Sequence, residues 1–563
     1  MNSGLLFISV LLCACCALIS FISINFKYKK TALITLWSVS FVIILISVIL
    51  LLYYLINVNL KYLYVYSHSS KSMAVLYRMS SLCAGEEGCF LLWAFIMSAA
   101  GFLILLINKN FDYRAFGIFC IISFFIFLIC FMLNPFEKIS VVPSAGLGIE
   151  KILQNPWMAI HPPLIFLSYT AMAVLFSLWP IYSAYKNETA INLIKLWINI
   201  SMFFLTAGLI SGSVWAYHSY AYGKVWAWDS MENISLITWL VLCAFIHRDK
   251  YDTQAVCILP FATACFSVFL ARSGVLDGVS YHVYTERNII ITQFILFFIF
   301  GAVLFLDVQR RRYIKSKKYE AKEVINYKNR ASDAIFIFAC FILLGTIAPI
   351  ISKTHTTAIY YVTISMTFAA AAITILVLKD KEIFKKRGAL IIVLSAAAAA
   401  VIGIAVHQFK ILWMLFLLIS FLPLFLFVAG KSARKYWKYY LAHIGLVFLI
   451  IGAVASNAFG TEGYVLKNSA YNINISGFEI SAEEIDSSDI IILSKFNNDI
   501  VIKSANRISN AQTGVLIPYV EKPLIILFWA GCIIILMQPV IQIVLLCKNK
   551  EDKSQKKQDD ASI

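Results

Sequence analysis

Charged side chains are scarce in this chain of 563 residues. Asp, Glu, Lys and Arg make up 14% of it, whereas 61% is hydrophobic and the mean hydropathy is +0.82. Soluble domains contain about 25% charged and roughly 45–50% apolar residues. Because a soluble fold of this length could not bury so much apolar surface, the composition excludes a cytosolic enzyme, a secreted disulfide scaffold and a nucleic-acid-binding protein. It predicts a membrane protein.

Two cysteine signatures are also missing. No CxxCH motif occurs, so the chain is not itself a c-type cytochrome, and no cysteine pair suggests thiol redox chemistry. Of the thirteen cysteines, eleven lie in apolar runs, where cysteine behaves as a small hydrophobic residue. Only Cys83 and Cys89 fall near a loop, and the sequence leaves their role open.

Long hydrophobic runs are what the sequence has in abundance. A membrane-spanning helix needs about 20 apolar residues. Windows of that size predict a polytopic α-helical membrane protein with about fifteen transmembrane helices, centred near residues 14, 45, 97, 124, 174, 206, 240, 261, 298, 342, 367, 397, 419, 447 and 535. The first run, from Gly4 to Ile24, has no small-residue cleavage site and is interpreted as a retained span.

The distribution of positive charge predicts the orientation. If the C-terminus is cytoplasmic, 32 of the 47 basic residues lie in cytoplasmic loops and the tail. The reverse topology would violate the positive-inside rule in nearly every short loop. We therefore expect a cytoplasmic C-terminus and, with fifteen spans, an N-terminus on the outer side.

The predicted organisation has six parts. A change to polar residues with short alternating hydrophobic runs predicts a small β-rich domain outside the membrane, just before the last span. The parts are two N-terminal spans (1–57), a core (58–290), a helical bundle (291–457), the β-rich domain (458–522), the last span (523–547) and a charged disordered tail (548–563). No fixed internal repeat is apparent, which argues against a repeat-built transporter.

An aromatic segment on the expected outer side is the first candidate site. This tryptophan-rich loop, about residues 214–235, and the helix after it contain Trp215, Trp226, Trp228 and Trp239. Interfacial anchoring explains tryptophans in such places, but not the acidic and amide residues that open the following helix. Those residues suit an N-cap and a first helical turn, so the loop could form a rigid shelf for a flat ring system. They are Asp229, Glu232 and Asn233.

The chain has only eight histidines, so their placement is informative. His161 and His282 lie on the expected outer side and flank the tryptophan-rich loop in sequence; they are either metal ligands or ordinary loop histidines. His247 and His443 lie near the cytoplasmic ends of two predicted spans. A pair at one depth could ligate a b-type haem from two sides, although each alone could simply hydrogen-bond between helices.

These motifs, taken together, resemble the WWD superfamily of haem-handling membrane proteins, and within it the CcmF/NrfE family. The resemblance runs in order from about residue 58 to 290. It is carried by Gly85 with Glu87-Gly88, Leu91-Leu-Trp93, Asn134-Pro-Phe136, Met158-Ala-Ile-His161-Pro-Pro-Leu164, Gly208 to Trp239 with Trp226-Ala-Trp228-Asp229, Arg272-Ser-Gly-Val-Leu276 and Ala442-His443-Ile-Gly445.

The resemblance implies a cytochrome c haem lyase subunit in the bacterial inner membrane. It would accept haem from the periplasmic chaperone CcmE and promote thioether attachment to the CxxCH motif of apocytochrome c. His161 and His282 would hold the incoming haem over the tryptophan shelf, and His247 and His443 would hold a b-haem that reduces it. The implied propionate partners are Arg78, Lys224 and Arg272. Further implied partners are CcmH/CcmI-type thiol-reducing and recruiting subunits and a quinol.

Other interpretations stay open. One is a haem transporter or synthetase of another maturation system in the same superfamily. Another is an ion-translocating respiratory subunit, although that class places charged residues in mid-membrane and the span centres here are nearly free of them. A haem-free assembly scaffold would keep the aromatic shelf without needing His247 and His443.

Overall fold

The computed structural model describes most of the chain, and every statement of absence below refers to its described residues. These are 2–22, 28–107, 112–179, 188–218, 225–226, 228–248, 255–272, 327–352, 381–405, 432–458, 462–467, 473–475, 478–480, 491–495, 498–502, 508–510 and 514–560, with the single residues 360, 365, 418 and 421.

Helices dominate these residues. In chain order they are α1 (Asn2–Phe21), α2 (Lys29–Ile56), α3 (Leu63–His68), α4 (Val75–Ser80), α5 (Glu86–Ile107), α6 (Tyr113–Leu133), α7 (Pro156–Ser177), α8 (Glu188–His218), α9 (Ser230–Ile246), α10 (Ala255–Arg272), α11 (Tyr327–Ser352), α12 (Lys381–Ala405), α13 (Ser432–Ala458) and α14 (Ile525–Asp560). Short 3-10 turns cover Ser81–Cys83 and Lys151–Leu153.

Strands lie between α13 and α14, in the segment where alternating hydrophobic residues predicted them. They are β1 (Glu462–Lys467), β2 (Ile473–Ile475), β3 (Phe478–Ile480), β4 (Ile491–Lys495), β5 (Asn498–Ile502), β6 (Ile508–Asn510) and β7 (Gly514–Pro523). Five of them form an antiparallel sheet in the order β1-β7-β5-β4, with β6 also paired to β7, and β2 pairs with β3.

The prediction of a membrane protein with many transmembrane helices is confirmed, whereas the number of about fifteen such helices is not. Eight helices in the described part of the chain are long and apolar enough to cross a membrane. Twelve of the fifteen predicted centres fall inside helices α1, α2 and α5–α14. The centres near 298, 367 and 419 lie outside the described residues.

Contacts divide the chain into two compact units. The first contains Met1–Ser211, Asp229–Thr357 and Gln542–Ile563, and the second contains Gly212–Trp228 and Ala358–Ile541. In the first unit α1 packs on α2 and α6, α5 contacts α2, α6 and α7, and α10 contacts α7 and α9. The tryptophan-rich loop thus crosses the division, and its two ends are described separately below.

The first unit is centred on Trp37 of α2, which is completely buried. Its indole N–H donates to the carbonyl of Ser98 on α5 at 2.8 Å, and its ring meets that of Phe116 on α6 at 5.3 Å. A side chain at Gly101 would collide with this indole ring. The apolar helix bundle therefore accommodates Trp37, because its indole N–H donates to a carbonyl and its ring packs against a glycine.

Two loops meet at one end of the α5–α6 pair, and we call residues 57–85 and 134–155 the loop cluster. Leu63 N donates to Glu137 O at 2.9 Å, and Leu147 N donates to Tyr66 O at 2.8 Å. Arg78 donates to the carbonyls of Lys71 and Met73 in the first of these loops and to that of Ile56, the last residue of α2. Main-chain bonds thus tie together two segments that the charge pattern assigns to the same side of the membrane.

In the second unit, glycines bring α13 and α14 into close contact. A Cβ atom at Gly452 would fall against the backbone nitrogen of Phe528, and one at Gly531 would meet the backbone of Leu449. Small residues let helix backbones approach closely. Such packing drives helix association in a membrane, because lipid is as apolar as the helix surfaces and the hydrophobic effect contributes little there.

We expect Gly452→Ala to destabilise the protein by about 1–3 kcal/mol, because the added methyl must displace backbone. The measurement is the thermal unfolding temperature of the detergent-purified chain, which should be lower in the variant. Gly4→Ala in α1 is the matched control, since nothing lies within 4 Å of a Cβ there. Equal stability of the two variants would contradict the close packing of α13 on α14.

Candidate functional site

The exit of the tryptophan-rich loop is fixed by a helix cap. The Asp229 carboxylate accepts from Met231 N at 3.1 Å, and Asp229 N donates to the Glu232 carboxylate at 3.3 Å. This reciprocal pair is a capping box that satisfies the first N–H groups of α9. Asp229 is buried and Asn233, one turn further on, is completely buried. The predicted N-cap is therefore present, and the acidic residues of the motif hold the helix start.

Trp228, immediately before this cap, has a backbone φ of 59°. A bulky residue in the left-handed region is strained by about 1–3 kcal/mol and is held there by its surroundings. Its ring lies 6.3 Å from that of Trp226 at an interplanar angle of 80°. The Trp226 indole N–H is buried and meets no acceptor among the described residues. The two rings thus offer a partly exposed aromatic surface with one unused donor.

The remaining shelf tryptophans lie on the helices that flank the loop. Trp215 is buried in the last turns of α8. Trp239 of α9 donates through its indole nitrogen to the Thr206 hydroxyl of α8 at 3.0 Å. This bond fixes α9 against α8 in the first unit.

His161 lies in the second turn of α7, which begins with Asn155 as N-cap and Pro156 as its first residue. Its Nδ1 is 2.8 Å from the carbonyl oxygen of Gly208 on α8. Because a carbonyl only accepts, Nδ1 must carry the proton, and Nε2 then carries the lone pair that can bind a metal. A Cβ at Gly208 would lie 2.6 Å from Ile165 Cδ1, so the glycine permits this approach of α7 to α8.

Other histidines are oriented differently. His68, His218 and His247 each place Nδ1 within 3.0 Å of a carbonyl four residues earlier in their own helix. The His161 ring is instead positioned by a neighbouring helix 47 residues away in sequence. The orientation of His161 therefore depends on tertiary packing, as expected of a preorganised ligand.

His247 forms the C-cap of α9 and is partly buried. Its Nδ1 donates to Cys243 O at 2.8 Å, so the lone pair again lies on Nε2. His443 is partly buried within α13. His247 belongs to the first unit and His443 to the second, so their joint ligation of one haem stays a prediction.

Three predicted site residues are only partly visible or not visible. His282 and Lys224 lie outside the described residues, and Arg272 is the last residue of α10, with no described side chain. Arg78 is described, and its Nε and both Nη atoms donate to main-chain carbonyls 2.8–3.0 Å away. These bonds hold the loop cluster together. The binding of haem propionates by Arg78, Lys224 and Arg272 stays a prediction.

Around the Gly85 motif, Tyr64 and His68 form a buried corner of the loop cluster. The Tyr64 hydroxyl accepts from Gly85 N at 3.1 Å and donates to Ser81 O at 2.8 Å. Burial raises the pKa of Tyr64 well above its ordinary value and lowers the pKa of His68. The thiol of the nearby Cys89 donates to Cys83 O at 3.2 Å. Gly85 is needed here because a Cβ would collide with both rings.

Sequence reasoning missed one polar contact at the entrance of the tryptophan-rich loop. The Tyr217 hydroxyl donates to the Asp499 carboxylate at 2.8 Å. The residues are 282 positions apart, and no spacing or motif signal connects them. The one signal in the sequence was Asp499 itself, an acidic residue within an alternating strand pattern, because acidic residues are rarely buried.

Comparison with known proteins supports one class for this fold and site. A family model described as Cytochrome C assembly protein matches residues 84–273. A solved structure titled Cytochrome c Heme Lyase CcmF has the same fold, with a TM-score of 0.70, 16% sequence identity and 96% of each chain covered. Its apolar helices indicate a polytopic membrane protein, and its residues 84–273 resemble cytochrome c assembly proteins.

Curated relatives narrow the class. The cytochrome c-type biogenesis protein CcmF of Escherichia coli (strain K12) is 26% identical over 464 residues, covering 73% of this chain and 70% of that protein. The NrfE protein of Haemophilus influenzae is 28% identical over 254 residues, covering 42% of this chain and 40% of that protein. The resemblance to CcmF and NrfE proteins seen in the sequence is therefore confirmed.

The cap at Asp229 gives a testable prediction. Asp229→Ala should destabilise the protein by about 1 kcal/mol through loss of the N-cap. Asp112→Ala is the matched comparison because Asp112 caps α6 in the same way, accepting from Arg114 N at 2.7 Å, and it should cost a similar amount. Thermal unfolding of the purified variants is the measurement, and wild-type stability of Asp229→Ala would contradict the cap.

The buried corner at His68 gives a second prediction. Its pKa is lowered from 6.5, so as pH falls through that value the unfolded chain takes up a proton that the folded chain resists. Stability should therefore fall between about pH 7.5 and about pH 5, and His68→Gln should flatten this dependence. The measurement is the thermal unfolding temperature across this pH range. Parallel curves of unfolding temperature against pH for the variant and the wild type would refute the prediction.

Proposed function

We propose that this chain is the haem-handling subunit of a cytochrome c haem lyase. Haem delivered by a periplasmic chaperone of the CcmE type is its substrate, and the CxxCH thiols of apocytochrome c are the acceptors. In the attachment reaction each thiol adds across a haem vinyl group, so a C–S bond forms and the thiol hydrogen goes to carbon. The protein's part is to bind, orient and protect the substrate rather than to supply a nucleophile.

The observation that carries this proposal is the hydrogen bond from His161 Nδ1–H to Gly208 O. It fixes the ring and leaves the lone pair on Nε2, the state in which histidine ligates iron. The bond joins α7 to α8 within the segment that matches the cytochrome C assembly family. His161 is thus the proposed ligand on one side of the incoming haem, and His282 is proposed for the other.

The tryptophan-rich loop fits the same substrate. Trp226 and Trp228 offer aromatic surface for a flat macrocycle, and the buried Trp226 N–H without a described acceptor suits a propionate oxygen. Trp215 and Trp239 are proposed as further members of the shelf, and Asp229, Glu232 and Asn233 form the helix start that follows the loop directly. Lys224 and Arg272 are the proposed cationic partners of the propionates, with Arg78 holding the loop cluster.

A resident b-type haem is proposed between His247 and His443. When bound it would supply an electron to keep the substrate haem ferrous, which thioether formation requires. The α9 helix runs from Ser230 to Ile246, roughly 25 Å at 1.5 Å per residue, with Asp229 as its N-cap and His247 as its C-cap. One rigid element thus links the capped end of the tryptophan-rich loop to the proposed ligand near the opposite end of the span.

Location and partners follow from the same proposal. The chain would lie in the bacterial inner membrane with its N-terminus in the periplasm and its C-terminus in the cytoplasm, as the basic residues indicate. The β-sheet between α13 and α14 would then be periplasmic. CcmH/CcmI-type subunits would reduce and present the apocytochrome thiols, and a quinol would supply electrons.

The assignment of His161 is tested by haem titration of the purified chain. His161→Ala should abolish or weaken by about tenfold or more the binding of added haem, because the iron loses a ligand. His218→Ala is the comparator, since His218 has the same tautomer but is exposed at the end of α8. Loss of binding in His218→Ala with full binding in His161→Ala would contradict the assignment.

The resident haem is tested by a reduced-minus-oxidised absorbance spectrum of protein purified without added haem. Wild type should show a b-type signal, and both His247→Ala and His443→Ala should lose it. Cys243→Ser provides a control beside His247 that keeps the Cys243 carbonyl. A well-folded, haem-replete preparation without the signal would leave the aromatic surface as a docking site and remove the resident haem from the proposal.

A further inference from the structure

The entrance of the tryptophan-rich loop is held by a residue of the β-sheet. Tyr217 lies in the last turn of α8 and donates its hydroxyl hydrogen to Asp499 Oδ2 at 2.8 Å. Tyr217 is 1% exposed and Asp499 is 7% exposed. Both belong to the second unit, so this bond is part of one compact body. A hydrogen bond to a charged group is about twice as strong as a neutral one.

The setting of Asp499 shows that its carboxylate is built into the sheet. It lies on β5, between Ser494 of β4 and Lys522 of β7 in the strand register. Lys522 is 5% exposed and stands directly opposite Asp499, so both side chains are on the same face of the sheet. Burying a carboxylate is costly unless it is paired and hydrogen-bonded. The hydrogen bond from the Tyr217 hydroxyl offsets part of this cost.

The Tyr217 ring is fixed as well as its hydroxyl. It meets the ring of Trp529 edge-on, with centroids 5.6 Å apart, and Trp529 in turn meets Phe528 at 4.8 Å. These aromatic residues lie in the first turn of α14, which follows β7 directly. The close approach of Phe528 to Gly452 ties the same turn to α13. Tyr217 is thus held by the sheet through its oxygen and by α14 through its ring.

We infer that Asp499 is a positioning residue for the tryptophan-rich loop, acting through Tyr217. Helix α8 ends one residue after Tyr217, at His218, so the contacts of Tyr217 fix the helix end from which the loop continues. The inference rests on the proposed function, because the loop matters to catalysis only if it holds the substrate haem. It assigns the β-sheet a role: the insertion between α13 and α14 buttresses the haem-binding surface.

The test is haem titration of the full-length purified chain, followed by its absorbance band. Tyr217→Phe and Asp499→Ala should each weaken binding by about tenfold, and the double variant should be no weaker than either single variant because both remove one bond. Asp499→Asn keeps an acceptor oxygen and should recover most of the affinity. Tyr519→Phe, on β7 of the same sheet, is the matched control and should bind as wild type does.

Hydrogen–deuterium exchange gives a readout that does not depend on haem. Without haem, Tyr217→Phe should speed exchange in residues 214–226 and leave the strands at 491–502 unchanged. Wild-type affinity in both single variants, additive losses, or unchanged exchange in 214–226 would overturn the inference. If wild type itself bound no haem, the proposed function would fail, while the exchange result would still decide whether Asp499 positions the loop.

Discussion

The structure depends on one constraint: a polar group placed among apolar helices must find its partner within the protein. Several hydroxyl groups in the helices obey it locally. Ser20, Ser123 and Thr346 each donate to the carbonyl four residues earlier, at 2.7–2.8 Å. Trp37 obeys it between helices, through Ser98 O. Because these donors are satisfied internally, the bundle can be almost entirely apolar and still carry functional polar residues.

The proposed histidine ligands depend on the same constraint. Donation from Nδ1 to a carbonyl satisfies the donor and fixes the lone pair on Nε2, so the bond that makes a partly buried histidine tolerable also prepares it as a ligand. His247 uses its own helix for this, whereas His161 uses the Gly208 carbonyl of α8. Pro162 and Pro163 follow His161 in α7 and have no N–H. The carbonyls of Met158 and Ala159, four residues earlier, therefore do not receive the usual helix hydrogen bond from these positions.

Local and compositional features were predictable from the sequence, and long-range contacts were not. Apolar run length placed twelve span centres in helices, and the Asp229–Glu232 spacing predicted a helix start that proved to be a capping box. In contrast, the carbonyl that orients His161 and the carboxylate that holds Tyr217 are 47 and 282 residues away in sequence. Such contacts depend on how helices and sheet pack, and neither periodicity nor residue type specifies that.

The central claim is that His161, oriented by Gly208, holds haem for attachment to cytochrome c. The most direct measurement replaces His161 by alanine in the chromosomal gene of the native cell and stains denatured membranes for covalently bound haem. If the account is right, the c-type cytochrome bands disappear while the abundance of the variant chain, followed by immunoblot, equals that of wild type. Unchanged cytochrome bands at equal abundance would contradict it.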